Sequence, residues 1–359
     1  MFDQGSKRRR VADTLVELRV TRLGFKILIK KFIKRFAPRR RRYYQDLIFR
    51  RVNEAKLAAV LESLGVTSGR TLYIQSSFGS LGYYPDGAHR FIRLLSELVG
   101  RDGTLVMPSF PFGGAMEDFV RANPLFDARR SPSHTGILAE VMCQLPGARR
   151  SCHPSHPVVA LGAQAAAIIA GHERCSSPQG DGSPFDKLVQ GSALILRIGT
   201  PAFPLCHRLQ EIVEWPNLFL PQPAVLSCRD DEGRAHRVTT RVYRKKVPFV
   251  MYLPNRDSQA AVAANIIDFP ILFAARNGAL RDHHSMSGAL KSLVAFRAEF
   301  AASNPLYSGT YNHCDLDSFC ADDAMAFAVE RARPLLDAYR EYYDLERVTA
   351  GLASGAIAI

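Results

Sequence analysis

Two short segments set imidazoles among proline and small residues: Arg150-Ser-Cys-His-Pro-Ser-His-Pro157, with His153 and His156, and Gly199-Thr-Pro-Ala-Phe-Pro-Leu-Cys-His-Arg-Leu-Gln-Glu211, with His207. Imidazole titrates near neutrality, so a histidine held at the mouth of a core can accept and return a proton there. Glu211 follows His207 by four residues and would share its face of a helix; Glu214, seven residues on, is the alternative acid. Cys152 and Cys206 each directly precede a histidine, which raises a thiol nucleophile. Neighbours in sequence point apart, however, and catalytic Cys–His pairs meet through the fold. His153, His156, Cys206 and His207 lack paired ligand spacing, so no metal is expected among them. The plainer reading of His153 is a ring that fixes a proline-rich turn, and His283-His284 reads as a solvated pair.

A third segment, Gln75-Ser-Ser-Phe-Gly-Ser-Leu-Gly82, leaves a strand and leads toward a helix. Its small residues let backbone N–H groups and the hydroxyls of Ser76 and Ser77 approach a ligand closely. A phosphate, an amide or a thioester oxygen could be held this way, and a plain turn would look the same. The Gly-Lys-[Ser/Thr] ending of a Walker loop is missing.

The elements that must position these residues alternate. Thr71–Gln75, Gly103–Pro108 and Ala193–Ile198 read as buried strands; Gly87–Val99, Thr135–Gln144 and Ala163–Gly171 read as helices. That alternation predicts an α/β sheet. Ala224–Cys228 and His236–Tyr243 flank a polar turn and predict a hairpin that extends or caps the sheet. Beyond about residue 265 the pattern turns helical; Ala321–Tyr343 is the clearest case, with Pro334 expected to kink or divide it. Three regions follow: a basic N-terminal arm (1–51), a catalytic body (52–305) and a helical C-terminal extension (306–359).

The chain has 359 residues and a net charge of +13. Residues 1–51 hold 17 Lys or Arg against four acids, so the whole excess belongs to the arm and the body is neutral. Within residues 15–42, Leu18, Phe25, Ile29, Phe32 and Phe36 share one helical face, with basic residues elsewhere. Such a helix fits an anionic membrane surface; it equally fits docking on the body or on a second copy in a homo-oligomer. No nucleic-acid motif accompanies the charge, so nucleic acid is not the expected partner. Seven scattered cysteines without a CxxC pair argue against a disulfide framework and for a reducing cytoplasm. No apolar run reaches 18 residues, and no signal-peptide pattern is seen.

Eight segments occur in a recognisable order: Gln75–Gly82, Gly103–Ser109, Phe126-Asp127 with Ser131-Pro-Ser133, Gly136–Glu140, Pro146–Pro154, Ala160–Gly162, Gly182–Phe185 and the His207 segment. The set resembles the aminoglycoside 3-N-acetyltransferase (antibiotic N-acetyltransferase) family from about residue 55 to 225, and more loosely to 305. The resemblance implies an α/β/α layered sandwich, acetyl-CoA as donor, and direct transfer of acetyl to an amino group of a sugar-like acceptor. It makes His207 the general base of a Thr-x-x-His-x-x-Glu segment and places His153 in the cleft, with Ser76, Ser77, Phe78 and Ser151 on the donor side. The chain departs from the pattern where it matters: Pro204 replaces the threonine, Gln210 the glutamate, and Gln75 a common histidine. The orienting acid is therefore left open between Glu211, the first candidate, and Glu214. For the acceptor, the arm and the Phe296–Pro305 stretch, which resembles glycan-associated members, favour an amino sugar of lipopolysaccharide or another envelope glycan. That places a cytoplasmic protein at the inner face of the membrane. An aminoglycoside is the rival acceptor, and an inactive CoA- or glycan-binding relative is the reading from a different class.

Overall fold

The computed structural model describes residues 51–200, 205–215, 218–243 and 300–342. Residues 1–50 of the basic arm, Pro204, His283-His284 and residues 296–299 of the Phe296–Pro305 stretch lie outside those residues.

Three runs that are apolar on both faces make the centre of the sheet: β1 (Thr71–Ser76), β2 (Thr104–Pro108) and β6 (Leu194–Ile198). They are parallel, with β1 between the other two. Strands buried on both sides require helices on both sides. On one side Leu72 and Ile74 meet Leu57 and Leu61 of α1 (Glu54–Ser63), Phe91 and Leu95 of α2 (Gly87–Val99), and Leu138 and Met142 of α4 (Ile137–Met142). On the other, Tyr73 and Ile195 meet Ile168 of α5 (Ala165–Ile169), Phe185 and Leu188 of α6 (Pro184–Gln190), Leu209 of α7 (Cys206–Ile212), and Met325 and Ala328 of α8 (Ala321–Tyr342). A short α3 (Met116–Arg121) adds Met116 to the second layer. The expected α/β/α sandwich is thus present.

The start signals are local. Asn53 caps α1 by accepting from the Lys56 N–H at 3.0 Å. Ser183 caps α6 from the Asp186 N–H at 3.3 Å, with Pro184 in the first turn.

Antiparallel strands complete the seven-stranded sheet, in the order β4-β5-β2-β1-β6-β10-β9. Its outer members are β4 (Arg149–Arg150), β5 (Val158–Gly162), β9 (Tyr307–Tyr311) and β10 (Cys314–Cys320). The last two correct the expected helical extension from residue 306, because they are sheet strands before α8 begins. Tyr307-Ser-Gly-Thr-Tyr311 has no apolar alternation of its own; pairing with β10, and of β10 with β6, makes it a strand. Asn312 and His313, both at positive φ, form the tight turn between them. Inside this sheet Arg197 of β6 lies opposite Asp317 of β10, and the two form a buried bidentate pair at 2.6 and 2.7 Å. The helix α8 runs unbroken through Pro334, so the expected division there is absent.

The predicted hairpin exists as β7 (Ala224–Arg229) and β8 (Ala235–Thr240). It does not extend the main sheet. It pairs with β3 (Phe126–Asp127) in a separate three-stranded sheet. A disulfide between Cys152 and Cys228, with Cα atoms 6.4 Å apart, ties that sheet to the loop between β4 and β5. The expectation of no disulfide is therefore corrected: two cysteines 76 residues apart meet only through the fold. No helix among the described residues is long and apolar enough to cross a membrane.

Candidate active site

In an open α/β sheet, ligands gather where connections leave neighbouring parallel strands in opposite directions. Here that place is the C-terminal edge of β1 and β6, where Ser76 pairs with Ile198 and the Ser77 N–H donates to the Ile198 carbonyl at 2.8 Å. Ser77 and Gly79 are exposed, and Ser76 is half-buried. The Ser80 hydroxyl donates to Ser77 Oγ at 3.0 Å, and Asn312 Nδ2 donates to the Leu81 carbonyl at 3.1 Å, so the β9–β10 turn braces this loop from below. Gly199, with φ of +61°, passes so close that a Cβ would lie 2.6 Å from Ser80 Cβ. Phe78 turns the other way and packs on Phe91 and Tyr84 at 5.5 and 6.0 Å between ring centres. Its side chain anchors the loop to the core rather than facing a donor.

The connection leaving β6 at this edge leads into α7, which carries His207. The imidazole is half-buried, and its Nδ1 meets Gln210 Oε1 at 2.9 Å. An amide oxygen only accepts, so Nδ1 carries the proton and Nε2 keeps a lone pair. Burial holds this imidazole below its usual pKa, against a smaller upward pull from the Gln210 hydrogen bond. A neutral ring whose Nε2 has no hydrogen-bond partner among the described residues can take a proton from an incoming nucleophile.

Glu211 does not touch that ring, which corrects its place as first candidate for the direct orienting acid. On α7 the residue three positions after His207 closes the contact, and that residue is Gln210. The Glu211 carboxylate accepts instead from the Tyr243 hydroxyl and the Ser177 hydroxyl, and from the Gln179 N–H at 3.1 Å. Burial pushes its pKa up, and the three donors oppose that. Glu214, the alternative, is exposed just past the helix end, at positive φ. Tyr243 links the two groups: its ring lies flat on His207, with centres 4.2 Å apart and planes 13° from parallel.

His153 is fully buried, and its hydrogen bonds fix its tautomer. Nδ1 accepts from the Ser155 and His156 N–H groups at 3.3 and 3.1 Å, leaving Nε2–H to donate to Thr240 Oγ1 at 3.2 Å. This is the turn-fixing role rather than an open cleft position, and it joins the β4–β5 loop to β8. Its pKa lies well below the usual value through burial, with His172 and His156 adding to the effect. Ser151 is likewise spent inside the fold. Its hydroxyl accepts from the Val158 N–H at 2.9 Å and donates to His172 Nδ1 at 2.9 Å, while His172 Nε2 donates to the Pro178 carbonyl at 2.9 Å. A donor-binding role for Ser151 is corrected accordingly. His156 packs between Phe110 and the Tyr243–His207 stack, 6.0 Å from the His207 ring. The rings of His153, His156 and His207 are spread out rather than converging on a point. Cys152 is in the disulfide and Cys206 is buried, so neither presents an open thiol.

Sequence reasoning missed Tyr243, Ser177, Gln179, Thr240 and His172. Tyr243 ends the predicted strand and is the one whose type could have raised it; nothing local marks the other four.

The fold and site together define an α/β/α protein with a half-buried imidazole on the helix that follows β6 and a small-residue loop at the end of β1. A family model described as aminoglycoside 3-N-acetyltransferase matches residues 73–331, and the chain belongs to that family. It is 32% identical over 180 residues to the aminoglycoside N(3)-acetyltransferase VII of Streptomyces paromomycinus; the aligned part is 46% of this chain and 62% of that relative. The chain thus spans under two thirds of that relative's length. Among solved structures, aminoglycoside acetyltransferase AAC(3)-Xa is similar at a TM-score of 0.59 and 22% identity, covering 79% of this chain and 93% of the other. AAC-IIIb in binary complex with CoASH is similar at a TM-score of 0.54 and 21% identity, covering 78% and 96%. At those identities the two structures bear on the fold.

Proposed function

We propose that this chain is an acetyl-CoA-dependent N-acetyltransferase whose acceptor is an amino group of an aminoglycoside. The observation that carries the reading is His207, held through Nδ1 by Gln210 with Nε2 left as a base, on the helix that leaves the β6 edge. His207 Nε2 takes a proton from the acceptor ammonium, and the freed nitrogen attacks the thioester carbonyl. The C–S bond then breaks, the thiolate leaves as CoA, and the imidazolium supplies its proton. The new N–C bond leaves one proton too many on nitrogen, and it is lost to solvent; the products are an amide, a free thiol and one released proton, with the base regenerated. Ser76, Ser77 and the backbone of the Ser77–Leu81 turn would hold the donor, since they are the accessible small residues at that edge. Two CoA-related observations support the donor: family membership, and the CoASH bound to AAC-IIIb.

The acceptor follows from the relatives, which are named for aminoglycosides. They favour that class over an envelope glycan, whose main support was the arm outside the described residues. The test is thiol release from acetyl-CoA with a panel of aminoglycosides and simple amino sugars. Turnover with aminoglycosides is expected, and His207→Ala should reduce kcat by about 10²–10⁴-fold in a protein that still folds. Turnover with amino sugars alone would return the glycan reading. No turnover with any amine would make the chain a binding protein.

A further inference from the structure

His207 is one layer of a stack. Tyr243 lies flat on it; Phe219 stacks with Tyr243 at 5.0 Å and 19°; the Arg241 guanidinium sits 3.8 Å over Phe219. His156 packs edge-on to both Tyr243 and His207, at 80° and 87°. The tyrosine cannot slide, because Phe219 stacks with it and its hydroxyl donates to Glu211. Glu211 is itself fixed by Ser177 and Gln179. A phenol that donates to a carboxylate is electron-rich, and the face of an electron-rich ring favours a cation lying over it. The imidazolium that forms when His207 accepts a proton is such a cation. Gln210 can steer the neutral ring, but its amide oxygen carries no charge to balance the protonated one.

Resting on the acetyltransferase reading above, we propose that Tyr243, clamped by Glu211, is a positioning residue that fixes the plane of His207 and supports its protonated form. In this chain the acid acts through a tyrosine ring, because position 210 holds an amide. Among the described residues, the other groups facing His207 do not supply this. His156 is a buried imidazole whose effect on His207 would be repulsive if it were charged. Cys206, on the same helix, is a buried thiol, and Arg208 lies beyond Glu211 with its guanidinium on Asp186 and Asp181 at 2.7 and 2.8 Å.

Three variants separate the parts. Tyr243→Leu removes the ring, Tyr243→Phe keeps the ring and cuts it from Glu211, and Glu211→Gln keeps an acceptor for the hydroxyl while deleting the charge. The first readout is the titration of His207 by NMR in substrate-free protein. The second is the pH profile of kcat and KM for aminoglycoside acetylation. Tyr243→Leu should lower kcat about 3- to 30-fold with little change in acceptor KM, and should lower the His207 titration midpoint. Tyr243→Phe and Glu211→Gln should fall between it and the parent. Adding Gln210→Glu to Tyr243→Phe should restore the midpoint, since a carboxylate then meets Nδ1 directly. If Tyr243→Leu proves poorly folded, the two milder variants decide by the same readouts. Superposable His207 titrations and kcat profiles in folded variants overturn the proposal. If the parent acetylates no aminoglycoside, the function reading fails, and the NMR titration still decides this one.

Discussion

Lowering the pH from 8 to 5.5 acts on a property shared by four rings. His153, His156 and His172 are buried and His207 is half-buried, and burial depresses the pKa of each. In the unfolded chain each takes a proton near 6.5. A depressed histidine contributes its full stability above pH 6.5 and loses it as the pH falls from there toward the folded value, because the unfolded state binds more protons. His172, held down to about 3, stays neutral throughout this window. A ring that stays neutral removes about 1.4 kcal/mol of stability one pH unit below its unfolded pKa. With His153 and His156 as deeply buried, the three together remove about 4 kcal/mol at pH 5.5, against a total of about 5–15 kcal/mol for a typical domain. His207 adds a further loss of the same sign. Glu211 works the other way: its carboxyl is raised, so the folded state takes that proton first and offsets part of the loss. Urea midpoints at pH 8, 7, 6 and 5.5 give the slope directly, and calorimetry in buffers of different ionisation enthalpy counts the protons taken up. A stability that changes by less than about 1 kcal/mol from pH 8 to 5.5, or uptake of less than about one proton, would refute the reasoning.

Three further outcomes follow from particular contacts. Thiol titration of the denatured, unreduced chain should find five free cysteines, and seven after reduction; seven at the outset would remove the bridge. Closing a loop with its ends 76 residues apart contributes about 4–5 kcal/mol on the chain-entropy account, so Cys152→Ser should lower the urea midpoint sharply. Gly199→Ala would put a methyl group 2.6 Å from Ser80 Cβ and 3.1 Å from Cys314 Sγ, which should push the Ser77–Leu81 loop outward. The expected result is a raised KM for acetyl-CoA with acceptor KM little changed; an unchanged donor KM would detach that loop from the donor. Gln210→Glu alone should raise the His207 midpoint and move the acid limb of kcat/KM to higher pH, because a hydrogen bond to a charged acceptor is about 1 kcal/mol stronger than one to a neutral acceptor. A limb that stays in place would show that position 210 does not meet the ring in solution.

The local signals proved good guides where one face of an element is decided by its own residues. Gly87–Val99 and Leu194–Ile198 carry their period and their stops within themselves, and both were legible. Position 210 was also legible as a departure, since one residue changed in an otherwise ordered segment. The strands at Tyr307–Tyr311 and Cys314–Cys320 were not, because a glycine-bearing polar run becomes a strand only when a partner supplies the ladder. The buried roles of His153 and Ser151 were equally hidden. Their hydrogen bonds reach Thr240, 87 residues away, and His172, 21 residues away.

By itself, then, the sequence determined the alternating α/β plan, the family resemblance, and the imidazole at position 207. Those rest on residue type, short-range spacing and motif order, which the chain carries wherever it folds. Only the tertiary structure decided which group meets that imidazole. Gln210 and Glu211 are neighbours on one helical turn, and which of them reaches the ring depends on side-chain direction and on Tyr243, 36 residues from His207, arriving beneath it. The same holds for Cys152 and Cys228: a bond that needs two Cβ atoms within a few ångströms is set by how two sheets pack, which no spacing along the chain encodes.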